Sequence, residues 1–362
     1  MEDLHSAYVL LIKAKSPEDI FGTLAEKNDQ EKKDALKDRY RDLAMRVHPD
    51  RYAKDPKSLH EAEEAIKALN DLHAWAEQAI DAGTYGTRQR PPSPNNVIAT
   101  FEHNGDLYRL FSNSIEGDFG IISFGERIRN GDVEDICLKT AKEQEDNDLL
   151  KNEQRILKEI QHKSLPLYLD AILLEDGTPA TVLRKISNSY DLLTVKEHFP
   201  QGLPQEHAVW VLDRLLSVLG YLHINNTIHG AIEPGNIMIT PYNHNGLLID
   251  YLLAVPDAHT AGAAYKGLNE YSAPELTKRA RPHPAADMYA LGKTMVFLLG
   301  GQDTDLPDQV NPHIQSFIKK FLVKDPARRE SDAWQAWHEL KNLRQEVFGA
   351  PSQFLTLTIG GR

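Results

Sequence analysis

A cluster of basic side chains surrounds the tripeptide His48-Pro49-Asp50. On a helix before this tripeptide and in the loop after it, we expect four positive charges to lie close together: Lys37, Arg41, Arg46 and Arg51. On a chain of formal net charge −12, such a patch would steer an acidic partner surface and set its orientation. An ordinary turn is the alternative for the tripeptide, because Pro and Asp are turn-forming residues. A solvated helix face is the alternative for the charges.

The stretch from Tyr40 to Arg51 closely resembles the second helix and following loop of the DnaJ family. The resemblance covers roughly residues 16–85, in the order short helix, long helix, His-Pro-Asp, long helix. It implies a J-domain in which His48, Pro49 and Asp50 trigger ATP hydrolysis in a DnaK-type heat-shock chaperone. Asp42 stands where many family members have a basic residue, which bears on partner affinity or choice. The Gly/Phe-rich and cysteine-rich regions of full-length DnaJ are absent from the sequence, so we expect a different cargo module.

A second set of residues is typical of phosphate chemistry. Gly117 and Gly120 lie between β-like runs, where glycine lets backbone N–H groups approach phosphate oxygens, although a simple β-turn explains them equally well. Lys139 ends the strand-like run Ile136-Cys137-Leu138-Lys139, and Glu153 follows in a helical stretch. These positions resemble the glycine-rich loop, the strand lysine and its αC partner in protein kinases. The resemblance implies that Lys139 neutralises the α- and β-phosphates of ATP.

The most specific resemblance to protein kinases lies in residues Ile228 to Ile239. They align in frame with the catalytic loop His-Arg-Asp-Leu-Lys-Pro-x-Asn, and Asp250 follows at the spacing of Asp-Phe-Gly. Further matches, in order, are Ala273-Pro274-Glu275, Asp287 to Gly292 and Asp325 to Arg329. The resemblance covers residues 100–345 and implies a two-lobed kinase-like fold in which Arg329 pairs with Glu275.

Three catalytic-loop positions depart from the kinase pattern. Ala231 replaces the aspartate that accepts the proton of the substrate hydroxyl, and losing a general base typically costs about 10²–10⁴-fold. Glu233 replaces the lysine that stabilises the transferring phosphoryl group, which reverses an interaction worth about 4 kcal/mol at an effective dielectric near 20. Gly230 replaces the arginine that grips a phosphorylated activation loop. The resemblance therefore implies a pseudokinase.

The residues that hold the nucleotide in the family are retained. Lys139, Glu153, Asn236 and Asp250 are all present, and Asn236 and Asp250 match the positions where the family holds Mg²⁺. Binding of ATP with Mg²⁺ is one expectation. The alternative is that Lys139, Glu153 and Asp250 form structural ion pairs in an empty cleft.

The elements that position these residues fall into two groups. Helical periodicity marks 31–47 and 59–82, with Ser16 as a helix N-cap before them, whereas short β-like runs begin at 97 and helical patterns dominate after about 200. We therefore expect an all-α J-domain at 1–85 and a Pro-rich linker at 86–97. An α+β, two-lobed kinase-like domain at 98–348 and a tail at 349–362 follow.

The composition argues against a membrane protein, a secreted protein and a general nucleic-acid-binding protein. No apolar run approaches the roughly 20 residues of a membrane span, and acids precede the short apolar stretch at the N-terminus, unlike in a secretory signal. Cys137 is the single cysteine and fits a reducing cytoplasm. The acidic balance argues against general nucleic-acid binding.

The favoured interpretation is a non-enzymatic adaptor. Its J-domain would recruit and stimulate a DnaK-type chaperone while the pseudokinase binds an unknown client or regulatory protein. The alternative is an atypical ATP-dependent kinase or nucleotidylyl transferase that uses Lys139 and Asp250 with a different base, Glu233 or His229. A third hypothesis is a nucleotide-sensing switch.

Overall fold

The computed structural model describes residues 4–25, 27–52, 55–88, 97–241, 245–258, 268–278, 281, 283–349, 357 and 359. The chain divides into two compact units, Met1–Asn96 and Val97–Arg362. Within the described ranges, no helix is both long and apolar enough to cross a bilayer.

The first unit is built from helices. They are α1 (Leu4–Lys13), α2 (Glu18–Phe21), α3 (Asp29–Val47) and α4 (Pro56–Asp81). The predicted apolar stripes of the two long helices are buried and form the core, with Leu43 on α3 and Leu69 on α4 both fully buried. Asn28 starts α3 with a capping box, in which its side chain accepts from Glu31 N while the Glu31 carboxylate accepts from Asn28 N.

The predicted N-cap at Ser16 is wrong. Helix α2 begins without a side-chain cap, and the polar contact runs in the opposite direction. The Asp19 carboxylate accepts from Lys15 N at 2.9 Å and from Ser16 N at 3.2 Å. These bonds hold the pKa of Asp19 below its usual value. Asp19 N, a donor that a Ser16 cap would bind, bonds instead to the Ser16 carbonyl oxygen at 3.1 Å, so the hydroxyl does not cap the helix.

Contacts of the first unit continue beyond the predicted boundary at residue 85. Tyr85 Oη donates to Gly22 O at 2.7 Å, and Gly86 N donates to Glu18 Oε1 at 2.7 Å. Arg88 forms an ion pair with Asp19 at 3.2 Å. The first residues of the predicted linker are therefore attached to α2.

The second unit starts with an antiparallel sheet of six strands, in the order β1-β2-β3-β4-β6-β5. The strands are β1 (Val97–His103), β2 (Asp106–Glu116), β3 (Gly120–Arg129), β4 (Asp132–Ala141), β5 (Tyr168–Leu173) and β6 (Pro179–Arg184). Helix α5 (Asn147–Glu159) packs on this sheet with Leu150, Ile156 and Leu157 buried. Strand β4 is central, so Lys139 projects from a rigid, paired strand.

A helical region follows the sheet and holds the main core of the unit. Its helices are α6 (Leu192–His198), α7 (Gln205–Ile224), α8 (Pro284–Leu298), α9 (Pro312–Lys319) and α10 (Ala333–Phe348). A second, small sheet joins β7 (Tyr190–Asp191), β8 (Ile237–Thr240) and β9 (Asn245–Leu248) in that order. The predicted pairing of Arg329 with Glu275 is confirmed by two nitrogen–oxygen contacts, of 2.6 and 2.9 Å.

The predicted C-terminal tail contributes to this core. Leu357 and Ile359 are buried with the side chains of the helical region, and Ile359 O lies 3.5 Å from Tyr190 Oη. The tail was predicted only as a segment beyond the domain. Its alternating apolar residues are the signal that could have identified it as part of the core.

Candidate active site

Lys139 lies between two carboxylates. Its Nζ is 2.7 Å from Glu153 Oε1 on α5 and 2.9 Å from Asp250 Oδ1, which follows β9. Glu153 also accepts from the backbone N of Tyr251 at 2.9 Å, so the same carboxylate ties α5 to the segment that carries Asp250. The predicted ion pair Lys139–Glu153 is confirmed, and Asp250 forms a second ion pair with the same lysine.

Burial and the attraction between opposite charges together set the pKa values in this cluster. Lys139 and Glu153 are both buried; burial raises the pKa of the Glu153 carboxyl. Burial also disfavours ionisation of Asp250, but the Lys139 ammonium outweighs it and holds the pKa of Asp250 below its usual value. For Lys139 the two carboxylates outweigh burial and raise the pKa of the ammonium. The lysine is therefore charged at neutral pH.

The backbone on both sides of the cluster is shaped for close approach. Asp250 has φ +64°, in the left-handed region that a residue other than glycine rarely adopts. Across the cleft, Gly117 N donates to Gly120 O at 2.8 Å and closes the turn between β2 and β3. A Cβ on Gly120 would lie 3.3 Å from Lys139 Cε. The segment is a tight hairpin connection, and the absence of a side chain at Gly120 leaves room for the lysine.

Asn236 and Asp250 each have one side-chain oxygen that accepts no hydrogen bond from the described part of the chain. Asn236 Nδ2 donates to Ala231 O at 2.9 Å, which leaves its Oδ1 available as a ligand. Within the described ranges no group donates to this Oδ1 or to Asp250 Oδ2, because Lys139 and Leu252 N both use Asp250 Oδ1. Amide and carboxylate oxygens are the ligands that Mg²⁺ prefers. Asn236 and Asp250 therefore fit the binding of this metal.

Asp287 holds the backbone of the catalytic loop beside a small recess. Gly230 has φ +78°, and its N donates to Asp287 Oδ1 at 2.9 Å while His229 N donates to Oδ2 at 2.9 Å. The Asp287 carboxylate thus fixes the loop from α8. A small recess beside the loop is lined by Gly230, Ala231, Asn269 and Asp287 among others. Ala231 contributes only a methyl group here and no proton acceptor.

Glu233 is bonded to Asn269, one of the residues that line this recess. It is partly buried, and Asn269 Nδ2 donates to its Oε2. Burial is the main cause that raises the pKa of Glu233, and the negative charges of Asp250, Asp118 and Glu270 raise it further. A carboxylate with a raised pKa is a stronger proton acceptor than an ordinary glutamate.

His229 does not fit the role of a base. Its ring is fully buried, with Nε2 3.1 Å from Ile249 O and Nδ1 3.2 Å from Ala231 N. Burial lowers the pKa of the imidazole. Both ring nitrogens contact the backbone, so the side chain supports the loop.

The predicted basic patch of the first unit is only partly assembled. Lys37 and Arg41 are one helical turn apart on α3, whereas Arg46 is rotated by about 140° from Arg41. Arg46 instead pairs with Asp42 at 2.7 Å, and Arg51 Nη1 donates to Met45 O at 2.6 Å. The prediction that all four charges lie close together is therefore wrong for Arg46.

The His-Pro-Asp tripeptide lies at the end of α3. His48 has an extended backbone, as expected before proline, and Pro49 to Arg51 form a single 3₁₀ turn. The His48 side chain is 4% exposed, so it supports the loop rather than presenting a surface. Of the four predicted cations, Arg41 and Arg51 are exposed, whereas Lys37 and Arg46 are half-buried.

Sequence reasoning missed three residues that shape the site. Asn269 and Asp118 act on Glu233, and Asp287 holds the catalytic loop. Asp287 lay in a recognised motif, but its contacts depend on a turn of the loop that sequence spacing does not specify. Asn269 and Asp118 come from segments distant in sequence, and no local pattern connects them.

Comparison with known families gives a match to the second unit. A family described as "Protein kinase domain" matches residues 116–304. The serine/threonine-protein kinase TIO of Arabidopsis thaliana is 26% identical over 256 residues, which are 64% of this chain and 19% of that protein.

Two further relatives carry similar names. The serine/threonine-protein kinase ssn3 of Aspergillus terreus is 27% identical over 54% of this chain and 48% of its own length. The serine/threonine-protein kinase PknG of Mycolicibacterium smegmatis is 25% identical over 70% of this chain and 34% of its own length. The chain therefore spans less than half the length of each of these three proteins.

Proposed function

Because the chain belongs to the protein kinase family, we propose that its second unit binds ATP with Mg²⁺ and transfers a phosphoryl group by an atypical route. The observation that carries the proposal is the position of Lys139, 2.7 Å from Glu153 and 2.9 Å from Asp250. In this arrangement the lysine, the helix α5 and the segment after β9 are already assembled for a nucleotide. A charged lysine at this position on β4 is suited to the α- and β-phosphates.

Magnesium would be held by Asn236 and Asp250 together with phosphate oxygens. Their Oδ1 and Oδ2 atoms are the two hard oxygen ligands that no described donor uses. Bound there, the metal supplies positive charge to the phosphates, which the protein lacks next to Glu233. Glu233 would otherwise repel the triphosphate.

Glu233 is the proton acceptor in this proposal. The oxygen of an acceptor hydroxyl forms a bond to the γ-phosphorus, the bond from that phosphorus to the β–γ bridging oxygen breaks, and ADP leaves. The hydroxyl proton moves to the Glu233 carboxylate, whose pKa is raised. Ala231 has no group that can take this proton. Replacing Glu233 by glutamine removes this base and should lower turnover by at least about 10²–10⁴-fold.

Labelled ATP tests the proposal. The purified chain is incubated with Mg²⁺ and ATP labelled at either the γ- or the α-phosphate, and incorporation into protein is measured. We expect γ-label to be incorporated, and Asp250→Ala and Glu233→Gln to abolish it. Glu339→Gln, which alters a glutamate on α10, is the matched control and should leave it unchanged. Incorporation of α-label alone would identify a nucleotidylyl transferase, and no metal-dependent incorporation of either label would refute transfer.

A second function is proposed for the helical unit, which is docking of a DnaK-type chaperone. Supporting it are the His48-Pro49-Asp50 turn at the end of α3 and the exposed cations Arg41 and Arg51. In this proposal the basic side chains contact the acidic partner surface, and buried His48 holds the turn. The kinase-like unit would then bring a client or regulatory protein to the chaperone.

The chaperone's ATPase rate tests this second function. Arg41→Glu should remove stimulation by the full chain without changing its unfolding midpoint, because Arg41 is exposed. Arg39→Glu is the matched control, since Arg39 is exposed on the same helix but rotated by about 160° from Arg41. Equal stimulation by both variants would contradict the proposal.

A further inference from the structure

Six neighbouring side chains form a ring on the surface that begins and ends at Glu233. They are Glu233, Asn269, Tyr271, Phe297, Lys196 and Leu193. Asn269 bonds to Glu233 and its Oδ1 accepts from Tyr271 N at 2.9 Å. The Tyr271 ring lies against Phe297, with 6.5 Å between ring centroids. Phe297 in turn lies under Lys196, whose Nζ is 5.5 Å from the ring centroid.

Helix α6 closes the ring. Lys196 and Leu193 are three residues apart and therefore share one face of α6. Leu193 Cδ1 lies 3.6 Å from where a Cβ on Gly235 would be, and the same Cβ would be 3.9 Å from Glu233 Oε1. The contacts thus return to Glu233. The ring is built from the catalytic loop, the segment after residue 268, the end of α8 and α6.

The two charges of the ring are opposite in sign and have different surroundings. Glu233 lies among acidic groups, with Asp250, Asp118 and Glu270 all acting on it. Lys196 has no carboxylate within ion-pairing distance in the described ranges, although it is partly buried. Its ammonium is covered by an aromatic ring in place of an anion, and burial lowers its pKa. An anionic group from a ligand would supply the missing partner.

The protein surface between Glu233 and Lys196 suits an extended peptide. Leu193 is 49% exposed, and the Phe297 and Tyr271 rings are partly exposed beside it. Exposed apolar and aromatic side chains between opposite charges provide contact area for an extended chain, while the charges set its direction.

We propose that this ring binds an extended peptide of the protein substrate that carries a basic side chain next to the acceptor hydroxyl, facing Glu233, and an acidic side chain that pairs with Lys196. The proposal rests on the proposed function, because it names the substrate class of the same site. It assigns Lys196 as a specificity-determining residue. Binding of the peptide does not require transfer, so it can be measured separately.

The test uses fluorescein-labelled, serine-centred peptides in which arginine and glutamate are moved through the flanking positions. Anisotropy titrations with the full chain should identify an arrangement with one basic and one acidic residue that binds more tightly than its charge-exchanged counterpart. Lys196→Glu should weaken the binding of that peptide by at least about tenfold, equivalent to about 1.4 kcal/mol. Replacing the peptide's acidic residue by lysine should restore binding to Lys196→Glu.

The matched control is Lys341→Glu, which reverses a lysine that lies over Trp337 on α10. It should bind the peptides as the unaltered chain does. If Lys196→Glu disturbs folding, Lys196→Met removes the charge while keeping the aliphatic stem over Phe297, and should lose the same preference. Equal effects of the two charge reversals, or no recovery with the exchanged peptide, would overturn the proposal. Thermal stabilisation by ATP and Mg²⁺ in the same variants reports on nucleotide binding independently.

Discussion

Removing the ammonium of Lys139 should destabilise the second unit far more than removing an equally short surface ion pair. In Lys139→Met, Glu153 remains buried with Tyr251 N as its donor, because its Oε2 has no hydrogen-bond partner within the described ranges. Breaking a buried pair by removing one partner costs about 3–5 kcal/mol. We expect a loss of that size at neutral pH.

The chain contains a matched control for this experiment. Lys142 Nζ lies 2.7 Å from Glu116, the same distance as between Lys139 and Glu153, but the side chains of Lys142 and Glu116 are 36% and 61% exposed. Lys142→Met should therefore cost at most about 1 kcal/mol. Equal N–O distances with different losses would show that burial, rather than contact geometry, sets the cost.

Urea denaturation monitored by tryptophan fluorescence measures both losses, at neutral and at acid pH. The penalty of Lys139→Met should shrink on acidification, because protonation of Glu153, whose pKa is raised, removes the unpaired charge. Lys139→Met/Glu153→Gln should recover stability relative to Lys139→Met alone. Similar losses for Lys139→Met and Lys142→Met, or a penalty that does not depend on pH, would refute the reasoning.

Three further variants test other features by denaturation. Glu233→Gln should stabilise the fold above the raised pKa of Glu233 and lose this effect below the usual value of 4.5, where the carboxyl is neutral in both states; a gain that persists in acid would contradict this. Gly220→Ala should cost about 1–3 kcal/mol, because its Cβ would lie 2.8 Å from Trp334, and an unchanged midpoint would argue against that close packing. Leu357→Ala should cost about 2–5 kcal/mol since the side chain is 3% exposed, whereas a neutral result would remove the tail from the core.

Sequence reasoning succeeded where local pattern determines structure. The apolar stripes of α3 and α4 were predicted because helical periodicity selects one buried face. The pairs Lys139–Glu153 and Arg329–Glu275 followed from family motifs whose order fixes their place in the fold.

It failed where contacts depend on how distant segments meet. The bond between Asn269 and Glu233 joins residues 36 positions apart, and no spacing rule predicts it. The Ser16 cap failed locally because Asp19 N, a donor that the hydroxyl would bind, bonds to the Ser16 carbonyl oxygen at 3.1 Å. Arg46 was grouped with Arg41 by its charge alone, although five residues of helix turn it away toward Asp42.

The attachment of residues 85–88 to α2 determines where the helical unit can be cut. Glu18 is 8% exposed, and backbone hydrogen bonds from Gly86 and Arg88 contribute to lowering its pKa, against the effect of burial. A fragment that stops at 85 loses these donors and leaves a nearly buried carboxylate with fewer partners. A recombinant fragment for isolated chaperone assays should therefore extend through Arg88, and a protease used to separate the units should cleave after it.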